Sequence, residues 1–318
     1  MNTRRWVARR EKSWQQLEAL VKKVENEGLK SLSAKEISTL AGLYRSVAAD
    51  LARARTQGVG ETLGQELQLL TSKGYSIIYQ GSRRQESEAI GQFYLWGFPA
   101  VLRDTAPYIL LCALIFALAG LVGWWFAWSD PSFMELFLPP SMIAMVERGE
   151  LWMGRILTDQ PGSTADIMVN NIHVSLIAVG GGITAGFYTV YILGLNGLFL
   201  GVVGALVAQN NLAFPFWAFV FPHGSLEIPE IFISGGGGLL LARALLFPGR
   251  YRRADAFKVY GEQAAQLVLG CIPMLVIAAI LEGFVSPSPI VPDLVKYLLG
   301  VALFTGFLQY AQRRKANP

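Results

Sequence analysis

Charged positions thin out abruptly after residue 104. Residues 105–129, 167–226, 263–281 and 297–312 carry no formal charge, and a helix needs about 20 mostly apolar residues to cross the hydrocarbon of a bilayer. The pattern predicts six transmembrane segments, at about 106–128, 170–193, 195–211, 226–247, 265–285 and 294–311. The third is short. Gly194-Leu195-Asn196-Gly197 reads as a tight reversal in front of it, so this segment either crosses at a tilt or turns back inside the membrane.

Before residue 104 the periodicity is that of water-exposed helices. Trp6, Leu17, Leu20, Val21 and Val24 recur at helical spacing, and Gly28 is placed to end that helix. Ser33-Ala34-Lys35-Glu36 has the form of a capping box, and Ile37, Leu40, Ala41, Tyr44, Val47, Ala48 and Leu51 follow on one face. A third helix is expected over Glu61–Tyr79 and a fourth from near Arg83. Short connections favour antiparallel packing, so residues 1–82 read as a cytosolic helical bundle. Residues 83–105 change from Arg83-Arg84-Gln85-Glu86 to Phe93-Tyr94-Leu95-Trp96-Gly97-Phe98-Pro99, the composition of an amphipathic interfacial helix lying along the inner leaflet until Pro107 starts the first span.

Residues 106–312 then form the membrane domain, with a loop at 129–169 between its first two spans. Within that loop Phe133, Leu136, Phe137, Met142, Ile143, Met145, Val146, Leu151 and Trp152 suggest an amphipathic segment, Ser132–Leu157, on the outer membrane surface or on a partner. The fold class is all-α, a polytopic membrane bundle of about six transmembrane segments preceded by a cytosolic helical bundle and an interfacial helix.

Composition sharpens the division. Of the 318 residues 53% are hydrophobic and 16% charged, with a mean hydropathy of +0.39, whereas soluble domains carry roughly 25% charged residues. Residues 1–104 hold 16 Lys/Arg and 11 Asp/Glu, more than half of the chain's charges. The loop from Ser129 to Asn170 has two arginines against six acids, while Arg250, Arg252, Arg253 and Lys258 and the tail 313–318 are basic. Six crossings place every basic segment on one side, so both termini are expected in the cytoplasm of a bacterial inner membrane protein. The net charge of +4 is a topology signal, and no nucleic-acid partner is expected. Met1–Arg10 has four arginines and no apolar core, which argues against a cleaved leader. Cys112 and Cys271 lie in apolar segments and read as small core residues.

Glycines gather within the spans: Gly180-Gly181-Gly182 with Gly186, Gly197 with Gly201 and Gly204, and Gly235 to Gly238. Small residues let helix backbones approach closely, either within the protomer or between two copies. Polar residues inside lipid are more informative, because each costs about 2.5–3.5 kcal/mol at mid-membrane unless paired or wet. Asn170, Asn171 and His173 open the second span, Asn196 sits at the reversal and Glu282 ends the fifth span. Most concentrated is Pro222-His223-Gly224-Ser225-Leu226-Glu227-Ile228-Pro229-Glu230. In a helix His223 and Glu227 share a face with Glu230 a turn on, although Pro229 suits a first turn and would leave His223 and Glu227 in the preceding loop. Three chemistries stay open: a divalent metal on His223, Glu227 and Glu230, a proton relay, or a carboxylate that locks the imidazole tautomer. No resident cofactor is expected, and the chain lacks the His-Glu-x-x-His arrangement of a metalloprotease.

The run Pro222-His223-Gly224-x-x-Glu227-x-Pro229, followed by a Gly-rich helix and Phe247-Pro248-Gly249, resembles the stage II sporulation protein M family of integral membrane proteins. Phe93-x-x-x-x-Phe98-Pro99-x-x-x-Arg103, the Asn170-Asn171 pair and Asn196-Gly197 with Gly201 extend the resemblance over roughly residues 90–312. It implies a membrane scaffold that holds envelope-remodelling proteins. The expected function is therefore a non-enzymatic, homodimeric membrane scaffold for cell-envelope or cytosolic protein partners. A small-solute or ion transporter or channel using the His/Glu site is the alternative, and an intramembrane metal-dependent hydrolase ranks last.

Overall fold

The computed structural model describes residues 3–153 and 160–315. They form two compact units, up to Gln92 and from Phe93 onward, and every regular element among them is helical.

The first unit contains α1 (Thr3–Glu27), α2 (Ala34–Thr56) and α3 (Glu61–Gln92). Gly28, at φ 81°, ends α1 in a conformation open to a residue without Cβ. The capping box at the start of α2 is formed: the Glu36 amide donates to Ser33 Oγ at 3.3 Å, and the Ser33 amide donates to Glu36 Oε2 at 2.8 Å. Trp14, Leu17, Val21, Leu40, Val47 and Leu67 are buried where the three helices meet. Asp50 is buried on α2 and accepts from Arg10 Nε at 2.7 Å and Trp14 Nε1 at 2.9 Å, tying α1 to α2 by a charged bond inside the core. The helices expected over 61–79 and from residue 83 are one continuous α3, because no proline or turn sequence between them interrupts the backbone ladder. The side chains of residues 80–86 lie outside the described set.

The second unit runs from a π-helical turn, Phe93–Gly97, through α4 (Phe98–Asp104), α5 (Ala106–Ser129), α6 (Pro131–Met134), α7 (Pro140–Glu147), α8 (Gln160–Gly180), α9 (Phe187–Gln209), α10 (Ala213–Leu246) and α11 (Arg253–Ile280) to a second π turn, Leu281–Val285, and α12 (Asp293–Ala311). Six helices among the described residues are long and apolar enough to cross a membrane: α5, α8, α9, α10, α11 and α12. At 34 residues, α10 is about 50 Å long, well beyond the roughly 30 Å hydrocarbon layer. It occupies the centre, packed against α5, α8, α9, α11 and α12.

Glycines make that centrality feasible. Gly235 faces Cys112 and Leu193, Gly236 faces Ile109, Gly237 faces Val179 and Ala264, and Gly238 faces Ala178 and Thr189. Four consecutive positions thus meet α5, α9, α8 and α11 in turn. A Cβ at Gly182 would enter the Gly238 carbonyl, and one at Gly197 or Gly201 would enter the Phe116 or Gly120 carbonyl of α5. Gly204 receives the Trp124 ring and Gly186 the Ala242 methyl. All of these glycines pack within one protomer.

Four expectations need correction. The reversal placed at Gly194–Gly197 is in the middle of α9, where the Asn196 amide donates to the Ile192 carbonyl at 2.8 Å. The actual turn is Gly181–Gly186, with Ala185 at φ 55° and Gly186 at φ 86°. The helix α8 therefore ends at Gly180, and α9, at 23 residues, is long and apolar enough to cross in full. Of the two glycines that read as turn residues, Gly197 packs against α5 together with Gly201, while Gly194 meets no atom within 4 Å, and local sequence does not distinguish a packing glycine from a loop glycine. Similarly, α10 begins at Ala213 rather than 226, because Pro222 and Pro229 sit inside the helix without ending it.

The segment at 93–105 is not a helix lying free along the leaflet. Phe98 and Leu102 are buried among Ile233, Leu240, Leu267, Cys271 and Met274, with the Phe98 ring filling the notch at Gly270. Tyr94 donates to the Leu269 carbonyl at 2.8 Å, Tyr310 donates to the Tyr94 carbonyl at 2.6 Å, and Arg313 stacks 4.6 Å over Trp96. The fourth correction concerns the loop after α5. Met134, Leu138, Val146 and Met153 are buried against Val202, Val203, Leu206, Phe216 and Phe219, so its apolar face covers the ends of α9 and α10 of its own chain. Arg155 and Leu157 lie outside the described residues.

Two outcomes follow. Gly201→Ala should cost about 1–3 kcal/mol or more by overpacking, whereas Gly194→Ala, with no atom within 4 Å of its added Cβ, should leave the melting temperature in detergent unchanged or raised. At the start of α2, the Ser33 amide, the Lys23 ammonium and the Ser33 hydroxyl hold the Glu36 carboxyl at about 2, below its ordinary 4.5. A depressed carboxyl contributes its stability in full above pH 4.5 and loses it as pH falls through about 2. Amide exchange in the first turn of α2 should therefore accelerate across that window, and Ser33→Ala should flatten the response.

Candidate functional site

Because α10 continues through Pro222 and Pro229, His223 and Glu227 are one turn apart on one face. Opposite them the end of α11 relaxes into the π turn Leu281–Val285. Such a turn inserts a residue into the helical repeat and re-aims the side chains on it. Here it brings Glu282 to the pair: its Oε1 lies 3.9 Å from His223 Nε2. One ligand atom each from His223, Glu227 and Glu282 lie within 4.8 Å of one another. Ser286, just past the π turn and buried, sits 3.0 Å from His223 Nδ1. Phe219 packs edge-on against the imidazole at 5.4 Å, and Thr164 of α8 fills the space over Gly283.

Glu227 also meets α8, where it is hydrogen-bonded by the Asn171 side chain. Asn170 donates to Asn171 Oδ1 at 3.3 Å, which leaves the Asn171 amino group for the carboxylate. Asn170 itself is exposed, and His173 projects from an exposed position on α8. Asn196 serves its own helix. The structure therefore unites His223, Glu227, Asn171 and Glu282 and leaves Asn170 at the edge and His173 and Asn196 elsewhere.

Glu230, grouped by sequence with the possible metal ligands, turns to a different set of partners. Ser234 donates to its Oε1 at 2.6 Å, Ser175 Oγ lies 2.9 Å from its Oε2, and the Cys271 thiol hydrogen-bonds to it. All four side chains are buried. The reason is helical geometry: Glu230 is three residues beyond Glu227, so its side chain leaves α10 one turn further along, level with Ser175 on α8 and Cys271 on α11. Two polar levels result along the seam of α8, α10 and α11, one of Asn171, Glu227, His223 and Glu282, the other of Ser175, Glu230, Ser234 and Cys271.

Sequence reasoning overlooked Ser175, Ser234 and Ser286 and read Cys271 as plain core. A usable signal existed for two of them: Ser175 and Ser234 stand four residues after Asn171 and Glu230, on the same helix faces. Nothing comparable marks Ser286, which reaches His223 only because of the π turn.

Removing Glu230 leaves the buried Ser234 hydroxyl and Cys271 thiol without that acceptor, while Ser175 keeps the Asn171 carbonyl at 2.7 Å. Glu230→Ala should destabilise the protein by about 1–3 kcal/mol, and Glu230→Gln, which still accepts through its carbonyl, should recover most of that loss in thermal melts of the detergent-solubilised chain.

Comparison with known proteins places this seam in a family. The chain is 27% identical over 124 residues to an uncharacterized protein of Methanocaldococcus jannaschii, a match covering 37% of this chain and 58% of that protein. No solved structure matches. A family described as a domain of unknown function, DUF8413, matches residues 4–80, within the first unit. The family described as Stage II sporulation protein M matches residues 112–287, more than half of the chain and the whole of both polar levels, and this multi-pass membrane protein belongs to that family.

Proposed function

We propose that the protein is a non-enzymatic membrane scaffold that organises cell-envelope or cytosolic protein partners, set in a bacterial inner membrane with both termini in the cytoplasm. The observation that carries this reading is the closure of the membrane unit around α10. Backbone meets backbone at Gly182, Gly197, Gly201 and Gly238, the apolar face of the loop after α5 covers one end of the bundle, and the Phe98 plug with its tyrosine bonds holds α4 against α10, α11 and α12. Close packing of this kind favours one rigid arrangement over two alternating ones. A rigid bundle joined to a separate helical unit suits a platform.

The orientation rests on the charge distribution, with Arg250, Arg252, Arg253 and Lys258 inside and the acidic loop after α5 outside. The His223 cluster then lies in the outer half of the membrane, since α10 enters from that side. Self-association as a two-fold dimer is part of the proposal, but on other surfaces than the glycine faces, which are filled within the protomer. The lipid-exposed sides of α5 and α12, with Leu114, Leu118 and Leu121 on the first and Leu298 and Val301 on the second, supply the area.

A second reading, a small-solute or ion transporter, is favoured by the two polar levels stacked along one seam. Reconstituted vesicles separate the two. The scaffold predicts proton and Mn²⁺ flux no greater than in protein-free vesicles, together with mislocalised envelope enzymes in cells lacking the protein; flux that Glu227→Gln abolishes would overturn it for the transporter. For topology, Ser141→Cys should label from outside and Ala254→Cys only after permeabilisation. Labelling of both from one side discards the orientation.

A further inference from the structure

We propose that His223, Glu227 and Glu282 bind a single divalent transition-metal ion that bolts the π turn at the end of α11 to α10. The inference rests on the scaffold reading, with the ion as a fixed joint of the bundle.

Geometry is the first argument. The imidazole is nine-tenths buried, and its Nε2 points at Glu282 Oε1 across 3.9 Å. That gap is too long for a hydrogen bond. Nδ1 has its own partner in Ser286 Oγ at 3.0 Å. With the ring proton on Nδ1 and donated to that hydroxyl, Nε2 presents a lone pair toward two carboxyl groups, and with both ionised no hydrogen from the described residues lies between them. A ligating histidine typically donates its other ring N–H to such a neighbour, which fixes the tautomer. Donor atoms within 4.8 Å of one another can close around one ion with bonds of about 2.0–2.2 Å through small rotamer adjustments.

Charge balance is the second. Two carboxylates face each other in the membrane interior, and among the described residues no lysine or arginine forms an ion pair with either; the group opposite Glu282 is the His223 imidazole, which carries no charge in the Nδ1–H form. Of the basic residues nearest in sequence, Arg243 is engaged with Tyr108 and Tyr260, and Lys296 with Asp293. Uncompensated, two buried carboxylates carry a large desolvation penalty. A doubly charged ion neutralises both.

The ligand set selects the metal. One imidazole nitrogen with two carboxylate oxygens suits Mn²⁺, Fe²⁺ or Zn²⁺ better than Mg²⁺ or Ca²⁺, which prefer oxygen alone. Asn171 against Glu227 and Ser286 against His223 supply the outer hydrogen bonds that orient ligands of this kind. The π turn itself carries Glu282 and leads directly into Ser286, so an ion held here would join that turn to α10.

The chain has two histidines, which makes the test sharp. Full-length protein is purified in mild detergent through a tag free of histidine, equilibrated with Mn²⁺ or Zn²⁺ alone, desalted and assayed for metal. About one ion per chain is expected, falling at least about ten-fold in His223→Ala and Glu282→Gln and unchanged in His173→Ala. Glu282→Gln retains the size of the side chain, and an unaltered elution volume with unaltered tryptophan fluorescence establishes that it is folded. In wild type a chelator should lower the melting temperature by several degrees; in folded Glu282→Gln it should not. Wild type without stoichiometric metal, or His223→Ala with wild-type occupancy, overturns the site. A chain that holds the ion and also passes it across reconstituted vesicles keeps the site and overturns the scaffold reading, whereas a chain with neither metal nor flux loses the metal site alone.

Discussion

Everything in the membrane unit depends on how closely other helices can approach α10. In lipid there is no hydrophobic force between helices, because the acyl chains are as apolar as leucine, so association relies on van der Waals attraction, hydrogen bonds and lipid entropy. Four consecutive glycines, Gly235–Gly238, remove the side chains that would hold α5, α8, α9 and α11 away. Complementary glycines on the partners, Gly182 on the turn after α8 and Gly197 and Gly201 on α9, extend the same device to their own neighbours. The dispersion attraction between the apposed backbones is small for each atom pair and large in sum, and a single intruding methyl group forfeits a sizeable part of it at that crossing.

That closeness has a chemical consequence. Once α8 and α11 lie against α10, polar groups at matching heights have no alternative to one another. Ser175, Ser234 and Cys271 surround Glu230 at one level, and its hydrogen bonds are met by protein. At the other level Asn171, Ser286, His223, Glu227 and Glu282 leave an imidazole nitrogen and carboxylate oxygens facing one another beyond hydrogen-bond length. The contrast separates a structural knot from a site that retains binding capacity, although both are built from glutamates three residues apart on one helix.

Two further features restrain the bundle from its ends. Phe98 occupies the notch at Gly270, and Tyr94, Tyr310 and Arg103 tie the π turn at Phe93–Gly97 and α4 to the middle of α11 and the end of α12. Where α9 ends and α10 begins, Met134, Leu138 and Val146 cover Val202, Leu206 and Phe216, and Phe219 joins that apolar cap to His223. Each end of α10 is therefore held by a segment that local sequence presents as a membrane-surface element.

Sequence by itself determined the class of the protein and the number of spans, because hydrocarbon excludes charge over about 20 residues whatever the tertiary structure. It determined the cap of α2, whose Ser33 and Glu36 interact within one turn, and the end of α1 at Gly28, which needs a positive φ. It also singled out His223 and Glu227, since polar residues inside an apolar run are costly enough to be conspicuous. Only the tertiary structure decided what depends on a neighbour. Glycine permits both a turn and a close helix crossing, so Gly194 and Gly197 read as a reversal in isolation, and the helix that runs through both is seen only with α5 against Gly197. Proline interrupts a ladder that surrounding helices can compensate, so α10 runs 13 residues further toward its N-terminus than its apolar core implied. Glu282 joins the site through a π turn, and Glu230 leaves it through the three-residue step around the helix. Neither placement is encoded in spacing along one segment, because each is a relation between helices that meet only after packing.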